Sequence, residues 1–127
     1  MTEIAREWRP IEPPFRGTLR VINLLDDLEH DGLVLYLGEV AEANFAIRFG
    51  DVLAYRRSSS SAFIRTWRRE IPYPFYTVEN SLWVSWLHEE SYGQYASERI
   101  THYVVATLHT LVEVLSICEP SVATVGR

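Results

Sequence analysis

A single domain built on a twisted, mainly antiparallel sheet with at most one or two short helices, α+β or mostly β in class, is the fold this sequence predicts. Three observations lead there. The segments Ser81–Glu89 and Thr101–Cys118 are dense in Trp, Tyr, Val, Leu and Thr and carry few charges; side chains branched at Cβ pack well on pleats and lose rotamer freedom in helices. Residues Phe45–Arg57 alternate partly with period two on each side of Gly50, where a bulge or tight turn breaks a strand. Compact apolar runs such as Leu33–Leu37 are bounded by polar turn residues.

Residues 1–16 carry Pro10, Pro13 and Pro14 among scattered charges. They read as an extended Pro-rich arm without regular structure, whose Trp8 and Ile11 dock on the domain. Residues 17–122 form the globular sheet domain and 123–127 a tail. Gly17–Leu25 is a strand that runs through Asp-Asp-Leu-Glu-His-Asp-Gly into a second strand at Leu33–Leu37. A competing reading takes Val21, Leu24, Leu25 and Leu28 as one helical face ending at Gly32. The four serines Ser58–Ser61 favour a loop, and Phe63-Ile-Arg-Thr-Trp a short strand or edge element. Pro72 and Pro74 exclude regular helix across residues 71–74, and Phe75–Val78 with Leu82–His88 reads as a hairpin.

Thr101–Ile117 admits two patterns. Ile100, Val104, Leu108, Leu111 and Leu115 make a helical stripe, yet the density of Val, Thr, Ile and Tyr favours two strands turning near His109-Thr110. In that register Ala106 faces Glu113 and Val104 faces Leu115. Glu113 then sits on a largely apolar face and needs a partner if buried.

With 127 residues, 47% apolar, and sixteen aromatics, the chain can bury a core without staples. Its single cysteine, Cys118, has no intramolecular partner, and the amino terminus lacks the apolar run of a secretion signal, so a reducing cytoplasmic compartment is expected. No stretch has the roughly 20 uncharged apolar residues of a membrane helix. The net charge of −5 argues against attraction to nucleic acid or anionic membrane. That average hides an asymmetry. Asp26, Asp27, Glu29, Asp31, Glu39 and Glu42 lie in a stretch with no Lys or Arg, whereas Arg48, Arg56, Arg57, Arg65, Arg68 and Arg69 follow against only Asp51.

No catalytic or metal-ligand motif stands out. His88-Glu89-Glu90 offers ligand and proton-carrier chemistry, but Tyr92 occupies the position where a zincin helix has its second histidine; a strand leaving the core explains the triplet more simply. His102, His109 and Glu113 are candidates for a buried polar cluster, with desolvation raising Glu113 if no cation is near. Cys118 has no adjacent base and reads as a small core residue. Arg65-Thr-Trp-Arg-Arg with Arg56 and Arg57 has the cations and aromatic of a single-strand platform; the surplus of carboxylates argues instead for pairing with the acidic segment. A solvated face is the ordinary explanation of the acidic block. The sharper one is complementarity to a basic protein partner.

The succession Leu33-Val-Leu-Tyr-Leu-Gly, Ile47-Arg-Phe-Gly-Asp-Val-Leu-Ala-Tyr-Arg, Trp83-Val-Ser-Trp-Leu-His-Glu-Glu-Ser-Tyr-Gly, His102-Tyr-Val-Val-Ala-Thr and Val112-Glu-Val-Leu-Ser resembles small uncharacterised bacterial proteins. Some of these are similar to immunity proteins of polymorphic-toxin systems. The resemblance implies a small cytosolic binder, without chemistry or cofactor of its own, that occludes a cognate toxin with a basic active-site surface. The expected partner-binding residues are Asp26, Asp27, Glu29, Asp31, Glu39, Glu42, Glu89 and Glu90, with no catalytic residue and no metal. The alternative is a small enzyme or ligand-binding protein whose aromatic pocket uses His88, His102 and Glu113. A third reading is a homo-oligomeric structural protein, marked by an exposed Trp8 or Trp67 on a sheet edge.

Overall fold

The structure is a computed structural model, and it describes residues 2–11, 19–27, 29, 32–39, 43–59, 74–107 and 109–125. The described elements are β1 (Ile4–Glu7), β2 (Arg20–Asp27), β3 (Gly32–Gly38), β4 (Phe45–Phe49), β5 (Val52–Ser59), β6 (Phe75–Glu79), α1 (Leu82–Glu90), β7 (Thr101–Ala106), β8 (Thr110–Ser116) and β9 (Ser121–Thr124). They form two antiparallel sheets, one in the order β1-β6-β7-β8-β5 and the other β2-β3-β4-β9. The predicted class holds.

Period-two alternation builds the core between the sheets. Leu33, Leu35 and Leu37 of β3 and Ile47 and Phe49 of β4 meet Phe75 of β6, Tyr103 and Val105 of β7, and Val112 and Val114 of β8. Trp8 closes one part of this core, its ring centroid 4.9 Å from that of Tyr103, 5.8 Å from Phe75 and 6.2 Å from Phe49. Ile11 is buried beside it. Trp8 and Ile11 therefore dock as expected, and Trp8 is no edge marker for an oligomer. The arm is nevertheless not irregular: Ile4–Glu7 adds a strand to β6, with Ile4 opposite Glu79 and Glu7 opposite Tyr76. An edge strand needs only one hydrogen-bonded neighbour, so a short, fully exposed segment can join a sheet without an apolar face of its own. At the other end β9 spans the expected boundary at residue 122.

The two predicted hairpins of β2 with β3 and of β7 with β8 are present. The helical reading of Val21–Leu28 gives way to the strand β2. Gly50 and Asp51 alone separate β4 in one sheet from β5 in the other. This crossing is pinned by β8 and the residues after it: the Ser116 hydroxyl donates to the Gly50 carbonyl at 2.6 Å and the Ile117 N–H to the Asp51 carbonyl at 3.3 Å. At the edges of the two sheets, the Tyr55 hydroxyl of β5 donates to Asp26 Oδ2 of β2 at 2.7 Å.

Four expectations are corrected. Leu82–Glu90 is a helix, not the second strand of a hairpin. Asn80 turns the chain at φ +56, a region asparagine tolerates, and Ser81 then caps the helix, its Oγ accepting the Val84 N–H at 3.1 Å. The β7–β8 register has Val104 opposite Glu113 and Ala106 opposite Leu111, two residues from the expected pairing. The turn sets this offset, because Thr107 N–H and Oγ1–H both donate to the Thr110 carbonyl. A slip of two leaves every side chain on its face, so Glu113 stays where the apolar pattern put it. Ser58 and Ser59 belong to β5 instead of a loop, while Ser60, Ser61 and the expected element at Phe63–Trp67 lie outside the described residues. Cys118 is exposed rather than a core residue, because it follows the end of β8.

Candidate functional site

The face of the five-stranded sheet opposite the inter-sheet core carries the polar cluster. Tyr103 points into the core, so His102 and Val104 alternate to the other side, as do Glu113 and Leu111 around Val112. Arg56 of β5 is directly opposite Glu113 of β8. His102 stands diagonal to Glu113, beside Val104. Cross-strand and diagonal neighbours on one face are within side-chain reach.

Glu113 is 2% exposed and fully engaged. Arg56 grips it with two bonds, Nε to Oε2 at 2.8 Å and Nη2 to Oε1 at 3.1 Å. His102 Nε2 lies 2.8 Å from Oε1. On the other side of the imidazole, Nδ1 is 2.7 Å from Ser81 Oγ. One proton arrangement satisfies every group: Ser81 Oγ accepts from Val84 N–H and donates to Nδ1, and Nε2–H of a neutral imidazole donates to Glu113. Trp83 of α1 covers the cluster, edge-on to His102 with ring centroids 5.3 Å apart, and the Arg56 guanidinium stacks 4.1 Å above the Trp83 ring. Burial pushes the Glu113 carboxyl up, yet the hydrogen bonds from His102 and Arg56, together with the guanidinium charge, outweigh it and hold the group below the ordinary carboxylate value.

Serine, histidine and glutamate in hydrogen-bonded sequence are the groups of a nucleophilic relay, which requires an accessible nucleophile and free donors for an oxyanion. Here the nucleophile is not accessible, and two of the first-turn donors are taken. Ser81 is 6% exposed and its Oγ is the helix cap. Of the first-turn donors, Leu82 N–H is taken by Glu3 Oε2 at 2.8 Å and Val84 N–H by Ser81. The chemistry of this cluster is to fasten α1 to the sheet: Ser81 and Trp83 from the helix, and His102, Glu113 and Arg56 from the strands, close a ring of contacts.

The remaining candidates lie apart. His88 is half-buried in the last turn of α1, its Nδ1 is buried without a hydrogen-bond partner, and no hydrogen bond among the described residues joins it to His102 or Glu113. The alternative pocket therefore brings together two of its three residues, and their bonding capacity is filled by Ser81 and Arg56. His109 is exposed at the β7–β8 turn. Asp26 is exposed and accepts from Tyr55, Asp27 and Glu39 are half-buried, and Glu29 is exposed. Asp31 and Glu42 lie outside the described residues, as do Arg65, Trp67, Arg68 and Arg69. Glu89 and Glu90 are exposed at the end of α1, on a different layer from Asp26, Asp27 and Glu29. Among the described residues no group of three His, Cys, Asp or Glu side chains is placed to hold a metal ion, and no helix is long and apolar enough to cross a membrane.

Ser81, Trp83 and Arg56 are the members of the cluster that pattern reading missed. The signal for the first two was Ser81 ahead of the half-buried set Trp83, Val84, Leu87, His88 and Ser91, which is one face of a helix. No family model, no characterised protein and no solved structure matches the chain.

Proposed function

We propose that this protein is a non-enzymatic protein-binding domain, an immunity-type inhibitor that works in the cytoplasm and neutralises a cognate toxin by electrostatic and steric occlusion. One observation carries the reading: the serine, histidine and glutamate that lie in hydrogen-bonded sequence are used up internally, and carboxylates are left for the surface. Ser81, His102 and Glu113 are buried and bonded in series under α1, whereas Glu29, Glu89 and Glu90 face solvent. A net charge of −5 without lysine suits a partner with a basic surface, such as the phosphate-binding groove of a nuclease, because complementary charge steers encounter and fixes register.

A tagged pull-down from host lysate with mass spectrometry tests this, followed by growth of cells expressing each recovered protein with and without the domain. A basic partner whose toxicity the domain suppresses supports the reading. Recovery of no such partner, with a small molecule or metal retained by the purified domain through dialysis, overturns it.

A further inference from the structure

The solvent face of α1 is where apolar exposure concentrates. Trp83, Val84, Leu87 and His88 are the half-buried residues of the helix, which leaves Leu82, Ser85, Trp86, Glu89 and Glu90 outward; Leu82, Trp86, Glu89 and Glu90 stand at spacings of i, i+4, i+7 and i+8, one stripe along its surface. Leu82 is 66% exposed, Trp86 48%, and Tyr92 just beyond the helix 98%. Six large apolar side chains are exposed among the described residues. Three of them fall within residues 82–92, with Leu82 and Trp86 one turn apart on the outward stripe of the helix and Tyr92 in the turn that follows it.

The turn after α1 is also committed. Tyr92 holds φ +53, a left-handed conformation disfavoured for a residue with Cβ, and Gly93 N–H bonded to the His88 carbonyl at 2.9 Å fixes it. The ring is thus presented from a defined backbone. Charge supplies the third observation. Glu89 and Glu90 occupy the last turn of the helix, where the macrodipole favours cations and disfavours carboxylates. No arginine occurs between Arg69 and Arg99, and neither glutamate is ion-paired among the described residues. Among the described residues no arginine meets this helix end, where His88 is the one basic side chain of the last turn, and a partner can provide the cation.

We propose that Leu82, Trp86, Glu89, Glu90 and Tyr92 form the docking surface for a basic protein partner. An arginine or lysine of the partner meets Glu89 and Glu90, and an apolar side chain beside it seats among Leu82, Trp86 and Tyr92. Exposed Trp and Tyr supply rigid contact area of the kind that dominates interfaces, and the flanking carboxylates select a cationic surface. This inference rests on the protein-binding reading and places the contact on α1 instead of the acidic block of β2 and its turn.

The test titrates the isotope-labelled full chain with an amphipathic leucine–arginine peptide, and with the same peptide carrying glutamate for arginine, while amide and indole resonances are followed. The arginine peptide is expected to shift the Trp86 indole and the amides of residues 82–92 saturably, and the glutamate peptide to leave them unmoved. Glu89→Gln with Glu90→Gln, or Trp86→Ala, should weaken binding at least about tenfold, and Asp27→Asn with Glu29→Gln less than about twofold. Saturable shifts confined to the β2–β3 turn overturn the inference and spare the protein-binding reading. Absence of peptide binding also overturns it; if the lysate yields no basic partner either, both fail together. Equal shifts with neutral phosphatidylcholine vesicles, or concentration-dependent shifts of the same residues with no peptide, assign the face to a lipid surface or a second copy and overturn it as well.

Discussion

His102 Nε2 lies 2.8 Å from Glu113 Oε1, and both side chains are 3% exposed. An imidazole and a carboxylate withdrawn from water this far hold each other in place only while the rest of their bonding capacity is met, by Ser81 on one side and Arg56 on the other. That mutual dependence governs what substitutions do.

Glu113→Ala strands the Arg56 guanidinium and the His102 ring against an apolar face. Removing one partner of a buried ion pair destabilises by about 3–5 kcal/mol, and the low end applies here because the Arg56 side chain is 50% exposed. Urea denaturation should therefore show a loss of about 3 kcal/mol. Ser81→Ala, which removes both a helix cap and the hydroxyl at Nδ1, should lose about 1–2 kcal/mol. Equal midpoints for Glu113→Ala and the parent chain would show that the ring of contacts does not hold the helix.

Acid should unfasten the same contact. The folded Glu113 carboxyl titrates below its ordinary value, so the unfolded chain binds the proton more tightly. Its contribution is present above the unfolded carboxylate pKa of about 4.3 and disappears as pH falls through the lower folded value. Denaturation midpoints measured from neutral pH down to about pH 3 should fall at the acid end, and Glu113→Gln should remove part of that slope. An unchanged slope in the variant would assign the acid sensitivity to other carboxylates.

Gly32 opens β3 at φ +91, and a Cβ there would stand 2.3 Å from the carbonyl oxygen of Phe49. Both the conformation and the space require glycine. Gly32→Ala should destabilise by about 2–4 kcal/mol, read as a drop in Tm of roughly 10 °C. Gly50→Ala, where no atom lies within 4 Å of the added Cβ, is the control and should stay within about 1 kcal/mol.

The thiol of Cys118 donates to Asp51 Oδ2 at 2.9 Å. That hydrogen bond, with desolvation and the carboxylate charge adding to it, raises the thiol pKa, so the nucleophilic thiolate is scarce despite exposure. Iodoacetamide should alkylate the native protein more slowly than an unstructured thiol at pH 8. Asp51→Asn keeps a residue that tolerates the left-handed backbone at φ +45 and should speed the reaction. No acceleration would mean that access, and not charge, limits the thiol.

Sheet content, both principal hairpins and the break at Gly50 were legible because their apolar residues repeat with period two over several positions. The need of Glu113 for a partner was legible for the same reason: parity alone put a carboxylate on an apolar face, whatever the register. The helix was not. Trp, Val and Leu in Leu82–Leu87 have the composition of a strand, and the Ser81 cap with its half-buried stripe overrides that propensity through a tertiary contact to His102 that lies 21 residues away in sequence. The identity of the second partner, Arg56, was hidden by a separation of 57 residues. Charge counting placed it with the acidic block, whereas strand pairing delivers it to Glu113.

The crossing at Gly50 and Asp51 makes the two sheets inseparable. A chain that passes from β4 to β5 within two residues, with its carbonyls tied to Ser116 and Ile117 and with Tyr55 bonded to Asp26 nearby, leaves neither layer free to peel off by itself. Amides of β3 and β7 should therefore share one opening free energy in hydrogen exchange, as members of a single cooperative unit. A half-opened sandwich, with the leucines of β3 bare and strand edges unpaired, is the species most prone to aggregate. The crossing keeps that species rare.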